Sequence, residues 1–228
     1  MYKEKEQEAT FKFENNPYPG FFICLEGIDG SGKSTQTKKI KEFLTSQGKD
    51  FVITKEHNEK YLKGKEIQEV LDHKRKVDSS LEFQEMYVVN RQEHLKNLII
   101  PSLREGKIVL TDRYFWSTIA YGSLGVKKET LIEINKDFIA PDLTIFLGVQ
   151  PGKAMEKLKS SRSSIEIFEK LEKLEIISQT YKWLTLNYGQ QIITVDGEQL
   201  ESEITSQIIN LITKNKKFNQ VKIHENIN

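Results

Sequence analysis

The chain has 228 residues, with Lys+Arg at 34, Asp+Glu at 33 and a formal net charge of +1. That length suits one sizeable α/β domain with a real core. The charge balance argues against broad attraction to nucleic acid or an anionic membrane and leaves room only for a local basic site. The one cysteine, Cys24, excludes an intrachain disulfide and a cysteine metal cluster and reads as a small buried side chain. No apolar run approaches the ~20 residues of a bilayer span. The N-terminus lacks an apolar signal core, so a soluble, cytoplasmic protein is expected.

Residues 1–18 read as a polar N-terminal extension that closes on the turn-rich "NNPYPG". Residues 19–214 carry the alternation of a folded domain, and 215–228 read as a polar C-terminal tail without assigned structure. "FFICLE" predicts a first strand, and "STQTKKIKEFLTSQG" a helix with Gly48 as its C-cap. "DFVITKE" predicts a second strand. "SSLEFQEMYVVNRQEHLKNLIIPSLREG" predicts a long helix, capped by Ser79 or Ser80 with Glu82 or Phe83 three residues on. Leu81, Met86, Val89 and Leu95 fall broadly on one side of it, and Pro101 is expected to kink or end it. "KIVLTDR", "LTIFLGV" and "QIITVD" predict three more strands, short, apolar and rich in β-branched residues. Strands alternating with helices imply a parallel sheet covered on both faces.

Between the first strand and the first helix lies Gly27-Ile28-Asp29-Gly30-Ser31-Gly32-Lys33-Ser34, which meets G-x-x-x-x-G-K-[ST] at every fixed position and is followed by Thr35. Wrapping backbone around a polyphosphate needs successive N–H groups turned inward, and glycines permit that close approach. The helix N-terminus adds positive potential, Lys33 a mobile cation for the β/γ-phosphates and Ser34 a hydroxyl for Mg²⁺. Binding of ATP or GTP follows. The guanine-reading Asn-Lys-x-Asp has its nearest counterpart in "NKDF" at Asn135–Phe138, where Asp stands one place early; that segment reads as a solvated helix face.

Asp112 and Arg113 close the third strand, and the carboxyl ends of strands in an open α/β sheet face the ligand crevice. Asp112 is placed to approach Mg²⁺ or its waters, and Arg113 to clamp an anion, since a guanidinium holds phosphate bidentately. A second phosphate besides that of the donor nucleotide points to phosphoryl transfer onto a phosphorylated acceptor.

"LEGIDGSGKSTQ", "NRQEH", "DRYFWSTIAYG", "PDLTIFLGV" and "FEKLEKLEII", in this order, resemble the thymidylate kinases of the P-loop nucleoside monophosphate kinase group over roughly Phe21 to Leu211. The resemblance implies a P-loop NTPase-type three-layer sandwich, with a five-stranded parallel sheet flanked by helices and a helical lid at about 157–169. It implies ATP and dTMP as substrates, Mg²⁺ as cofactor and a homodimer as the assembly. Asp29 would face the acceptor's 3′-hydroxyl. Tyr87, which spacing alone leaves open between core packing and a site role, would stack on thymine, with Arg91 on the base or the acceptor end. Arg113 and Lys55 would hold the acceptor phosphate, and Ser117 and Tyr121 would line the thymine and sugar pocket. Tyr121-Gly122 stands where the family carries Tyr-Gln, and Lys55-Glu56-His57 where it carries Arg-Glu-Pro; both departures bear on base specificity. No residue of Ile28–Ser31 is basic, so the catalytic cation is expected in the lid segment "KLKSSRSSIEIFE", at Arg162, with Lys157 and Lys159 as weaker candidates. Two other readings stay open. One is a deoxynucleoside kinase with Glu56 as base, and the other a nucleotide-binding regulator without activity. A DNA-dependent ATPase fits the neutral balance less well.

Overall fold

A computed structural model describes residues 11–161 and 171–221. Five strands, β1 (Phe21–Glu26), β2 (Phe51–Lys55), β3 (Ile108–Asp112), β4 (Leu143–Gly148) and β5 (Ile192–Asp196), form one sheet in the order β2-β3-β1-β4-β5, all parallel. β1 is therefore central. Its side chains alternate across the sheet because the strand period is two. Phe21, Ile23 and Leu25 enter the core beneath α1 (Lys33–Ser46) and α9 (Glu201–Lys214), with Ile40, Leu44, Ile204, Ile208 and Ile212. Phe22 and Cys24 enter the opposite core, beneath α5 (Phe115–Gly122) and α8 (Leu171–Asn187), with Trp116, Ile119, Ile177 and Tyr181.

Two layers of helix around one sheet match the expected sandwich, and α1 ends as its sequence predicts. Gly48 takes φ 60 and donates its N–H to the Thr45 carbonyl, a left-handed closing residue that glycine adopts without penalty. The long helix runs past Pro101, though not as uniform α-helix: α3 (Ser80–His94) passes through a π turn (Leu95–Ile99) into α4 (Ile100–Arg104), which ends three residues after the proline. The π turn lies immediately before the proline, where the register is loosened and the missing N–H and ring clash are accommodated. The buried side of α3 is also not the apolar stripe. Phe83 and Met86 are buried, but so are Gln84, Asn90, Arg91 and His94.

The described parts of the two terminal segments, residues 11–18 and 215–221, enter the body more deeply than a polar extension and tail would. Phe13 is buried and stacks on Phe115 at 4.4 Å between ring centroids, and Asn15 bridges to Ala140. Beyond 214, α10 (Lys216–Gln220) packs Phe218 and Val221 into the core beneath α1. A few aromatic and aliphatic residues set in polar sequence carry this burial. The "NKDF" segment needs a correction as well. Asn135 is fully buried and Phe138 nearly so, with Lys136 outside, so the segment is a cover over the core and not a solvated face.

Candidate active site

The loop Gly27–Gly32 leaves the central strand with Gly27, Gly30 and Gly32 at φ 154, 80 and 95. A Cβ on Gly27 would lie 2.5 Å from the Ser31 hydroxyl and 3.1 Å from the Leu147 carbonyl, so glycine is required there by space and by dihedral. α1 begins at Lys33 behind Gly32 with no side-chain cap and no acidic residue in its first turn. Its orphan N–H groups thus face outward at the positive end of the helix dipole, an arrangement that suits phosphate. Lys33 Nζ folds back onto the Gly27 and Ile28 carbonyls at 3.1 and 3.0 Å. Burial, and then the Arg113 charge, bring its ammonium down to about 8, while Asp112, Asp29 and Glu26 oppose the shift.

Arg113 sits one residue past β3 at φ 71, a left-handed conformation that a non-glycine residue adopts only at a cost of about 1 kcal/mol or more. Its N–H bonds the Leu25 carbonyl, and its own carbonyl accepts from the Thr111 hydroxyl, so neighbouring strands hold the turn. The guanidinium donates to the Gly27 carbonyl at 3.0 Å, Ser117 Oγ at 3.1 Å, Tyr121 Oη at 3.0 Å and the Asp29 carboxylate. Burial alone would raise the Asp29 carboxyl, but Arg113 and Lys33 hold it below the usual carboxylate range.

Beneath this pair lies Glu26, the last residue of β1 and fully buried. It accepts from the Tyr114 N–H at 2.8 Å and from the Ser117 and Tyr181 hydroxyls, each at 2.7 Å. Burial raises its carboxyl, against the lowering by Arg113 and these donors. Glu26 therefore fixes where α5 starts and aims Ser117 at Arg113. In the sequence Glu26 is the one charged residue of an apolar run, and nothing local marks it as a support of the site.

A cavity of about 570 Å³ opens over the carboxyl ends of β1, β2 and β3. At one end lie Asp29, Gly30, Gly32, Lys33, Ser34 and Thr35; at the other Phe83, Gln84, Tyr87, Thr118 and Tyr121, with Lys55, Asp112, Arg113 and Ser117 between. The structure thus brings Asp29, Gly30, Gly32, Lys33, Ser34, Thr35, Lys55, Asp112, Arg113, Ser117, Tyr121, Tyr87 and Arg91 onto one cavity, while Gly27, Ile28 and Ser31, also expected at the nucleotide, do not line it, and Ile28 is packed in the core. Among the described residues Asp112 Oδ1 is buried without a hydrogen-bond partner, and Ser34 lies exposed on the same cavity. An orphaned carboxylate oxygen and a free hydroxyl suit a hard divalent cation that takes its remaining ligands from phosphate and water. Lys157 also lines the cavity; Arg162 lies outside the described residues.

Arg91 is bound differently from a free substrate cation. Its Nε and Nη2 bond the Glu56 carboxylate at 2.6 to 3.1 Å, Nη2 also bonds Thr118 Oγ1 at 2.9 Å, and Nη1 bonds Asn135 Oδ1 at 2.6 Å. The guanidinium also lies over the Tyr114 and Phe138 rings. Four of its five N–H groups are committed to these acceptors, tying the end of β2 to α3, α5 and the segment around Asn135. Glu56, held by Arg91 with its side chain almost wholly buried, is not available as the free base that a sugar-hydroxyl kinase needs. Asn135 joins the support of the site. Its nearness in sequence to a guanine-binding pattern concealed this, and only its apolar neighbours Ile134 and Phe138 hinted at burial.

A parallel sheet with this strand order, a glycine loop after its central strand and an arginine facing that loop define a P-loop nucleotide-binding protein of the phosphotransferase type. The family model described as "Thymidylate kinase" matches residues 25–208. The chain is 37% identical to the "Thymidylate kinase" of Leptospira borgpetersenii over 210 residues, covering 86% of this chain and 96% of the relative. It is also 37% identical to the "Probable thymidylate kinase" of Staphylothermus marinus, covering 90% and 99%. With that of Desulfotalea psychrophila it shares 35%, covering 85% and 96%. The chain belongs to the thymidylate kinase family.

Proposed function

We propose that this protein transfers the γ-phosphoryl group of ATP to dTMP, giving dTDP and ADP, with Mg²⁺ as cofactor. The observation that carries the reading is one cavity with a phosphate cradle at one end, an aromatic and amide-lined recess at the other, and Arg113 between them. Each end accommodates one nucleotide, and the two phosphate chains meet at Lys33 and Arg113.

An acceptor phosphate is already anionic near neutral pH, so the chemistry needs alignment and charge neutralisation in place of a strong base. The loop N–H groups and the first turn of α1 hold the donor phosphates, and Lys33 leaves the Gly27 and Ile28 carbonyls for the β/γ-oxygens. Ser34 and Asp112 would hold Mg²⁺, which would supply charge neutralisation at the donor phosphates. Arg113 and Lys55 hold the acceptor phosphate in line. Tyr121 and Ser117 keep the Arg113 fork in place, and Tyr87 supplies a face for the base. Asp29, steadied by Arg113, is offered to the acceptor sugar. Arg162, in the lid segment, is proposed as the cation that closes over the transferring group.

The assembly belongs to the same proposal. Leu81, Leu98 and Ile100 stay partly open along α3 and its continuation, and a homodimer in the cytoplasm would form there. A sedimentation mass of a single chain would remove that part.

The activity is tested by ADP release from Mg·ATP against the common nucleoside monophosphates and thymidine. Turnover with dTMP and none with thymidine is expected. Lys33→Ala and Arg113→Ala should each lose at least about 100-fold in kcat with the circular dichroism spectrum unchanged. Near-normal rates in either variant would take that residue out of the mechanism.

A further inference from the structure

We propose that Gln84 is the specificity-determining residue of the acceptor pocket, its carboxamide reading the hydrogen-bonding edge of the pyrimidine base. The inference rests on the acceptor lying in the α3/α5 end of the cavity, as proposed above. Gln84, Tyr87 and Arg91 stand at helical spacing on one face of α3, and all three line that cavity. Gln84 is only 4% exposed, yet it makes no hydrogen bond to any described residue. Arg91, two turns away on the same face, has four N–H groups engaged. What little of Gln84 stays accessible opens on the cavity, so its carboxamide is left to solvent or a ligand there. An amide so placed is accounted for when the ligand completes its hydrogen bonds.

Gly122 makes the room. A Cβ at that position would lie 3.0 Å from Gln84 Cγ, 3.1 Å from Gln84 Cδ and 2.7 Å from Leu131 Cδ2. The Gln84 side chain therefore crosses the space that any side chain at 122 would claim. One turn away along α5, Thr118 is bonded to Arg91, so the two helices face each other from Gln84–Gly122 to Arg91–Thr118. The ring of Tyr87 stands beside Gln84 and offers a face on which a base can stack. The chemistry of the amide then selects the edge. It carries a donor and an acceptor in one plane, which matches an imide N–H beside a carbonyl oxygen, as in a 4-oxo pyrimidine. Held in that orientation, the amide would meet a 4-amino pyrimidine acceptor to acceptor and donor to donor, and this mismatch is the discrimination proposed.

Titration calorimetry on the full chain, with dTMP and with base-free 2-deoxyribose 5-phosphate, tests this. Gln84→Met keeps the volume, and Gln84→Glu keeps the shape while removing the donor. Both are expected to weaken dTMP binding about 10- to 100-fold, to leave the base-free phosphate within about twofold, and to leave ATP binding unchanged. Equal loss for dTMP and the base-free ligand would make Gln84 a packing residue and overturn the proposal, as would no loss for either. Wild-type protein that turns over a different nucleoside monophosphate and ignores dTMP would refute the proposed function instead. The Gln84 comparison would then be run on that acceptor.

Discussion

Lys33 shows how far one residue's setting departs from its sequence label. The motif predicts a lysine for phosphates, and the fold places that lysine on two backbone carbonyls in a buried pocket beside Arg113. Burial, reinforced by that guanidinium, leaves the free protein's ammonium titrating at about 8 instead of the ordinary 10.5. Between those values the unfolded chain binds more protons than the folded one, so this group's contribution to stability rises with pH across that window. A bound polyphosphate reverses the balance by favouring the charged form. ATP binding should therefore take up about half a proton near pH 8 and weaken as pH rises further. Calorimetry at pH 8 in two buffers of different ionisation enthalpy measures the uptake. Lys33→Met should abolish it, and its persistence in that variant would assign the proton elsewhere.

At the scale of elements, the strands were legible because each is a short apolar run bounded by polar or glycine residues. All five fall within the expected segments, β1 at its full predicted extent. The N-cap of α3 resolves to Ser79, whose hydroxyl accepts the Glu82 N–H at 3.1 Å, a contact of a kind worth about 1 kcal/mol. The inner face of α3 was not legible. Periodicity reads apolar residues as the buried ones, and this helix turns Gln84 and Arg91 onto a polar cavity and Asn90 and His94 against residues 58–62 and β2. Three of these side chains depend on a distant residue that no local pattern announces: Arg91 on Glu56 and Asn135, Asn90 on the Asn58 and Leu62 carbonyls, His94 on Thr54. The roles of Glu26 and Asn135 were hidden for the same reason. The loop residues and the Asp112–Arg113 pair were visible because their chemistry is written in consecutive positions.

For the whole molecule, the described parts of the two terminal segments are braced against each other near the amino-terminal ends of β1 and β4. Lys217 Nζ bonds the Asn16 and Tyr18 carbonyls at 2.8 and 3.1 Å and pairs with Asp142 at 2.8 Å. Lys49 bonds the Val221 carbonyl at 2.7 Å and stands over the Phe218 ring. Phe218 itself stacks on Phe43 of α1 at 6.0 Å and meets Phe21 of β1 edge-on at 6.5 Å. The helix that carries the phosphate cradle at its N-terminus is thus met near its C-terminal end, at Phe43, by a segment that composition alone would discard. Phe218→Ala removes a buried ring and should cost about 3–5 kcal/mol. For a chain of this size that is a fall in Tm of roughly 6–20 °C. Below the new Tm, kcat for dTMP should stay within about twofold of wild type, because neither Phe218 nor its contacts line the cavity. Scanning calorimetry and the ADP-release assay separate the two effects. A Tm within 2 °C of wild type would mean that α10 does not pack beneath α1 in solution. A large loss of kcat with an unchanged Tm would mean that this contact acts on the cradle itself.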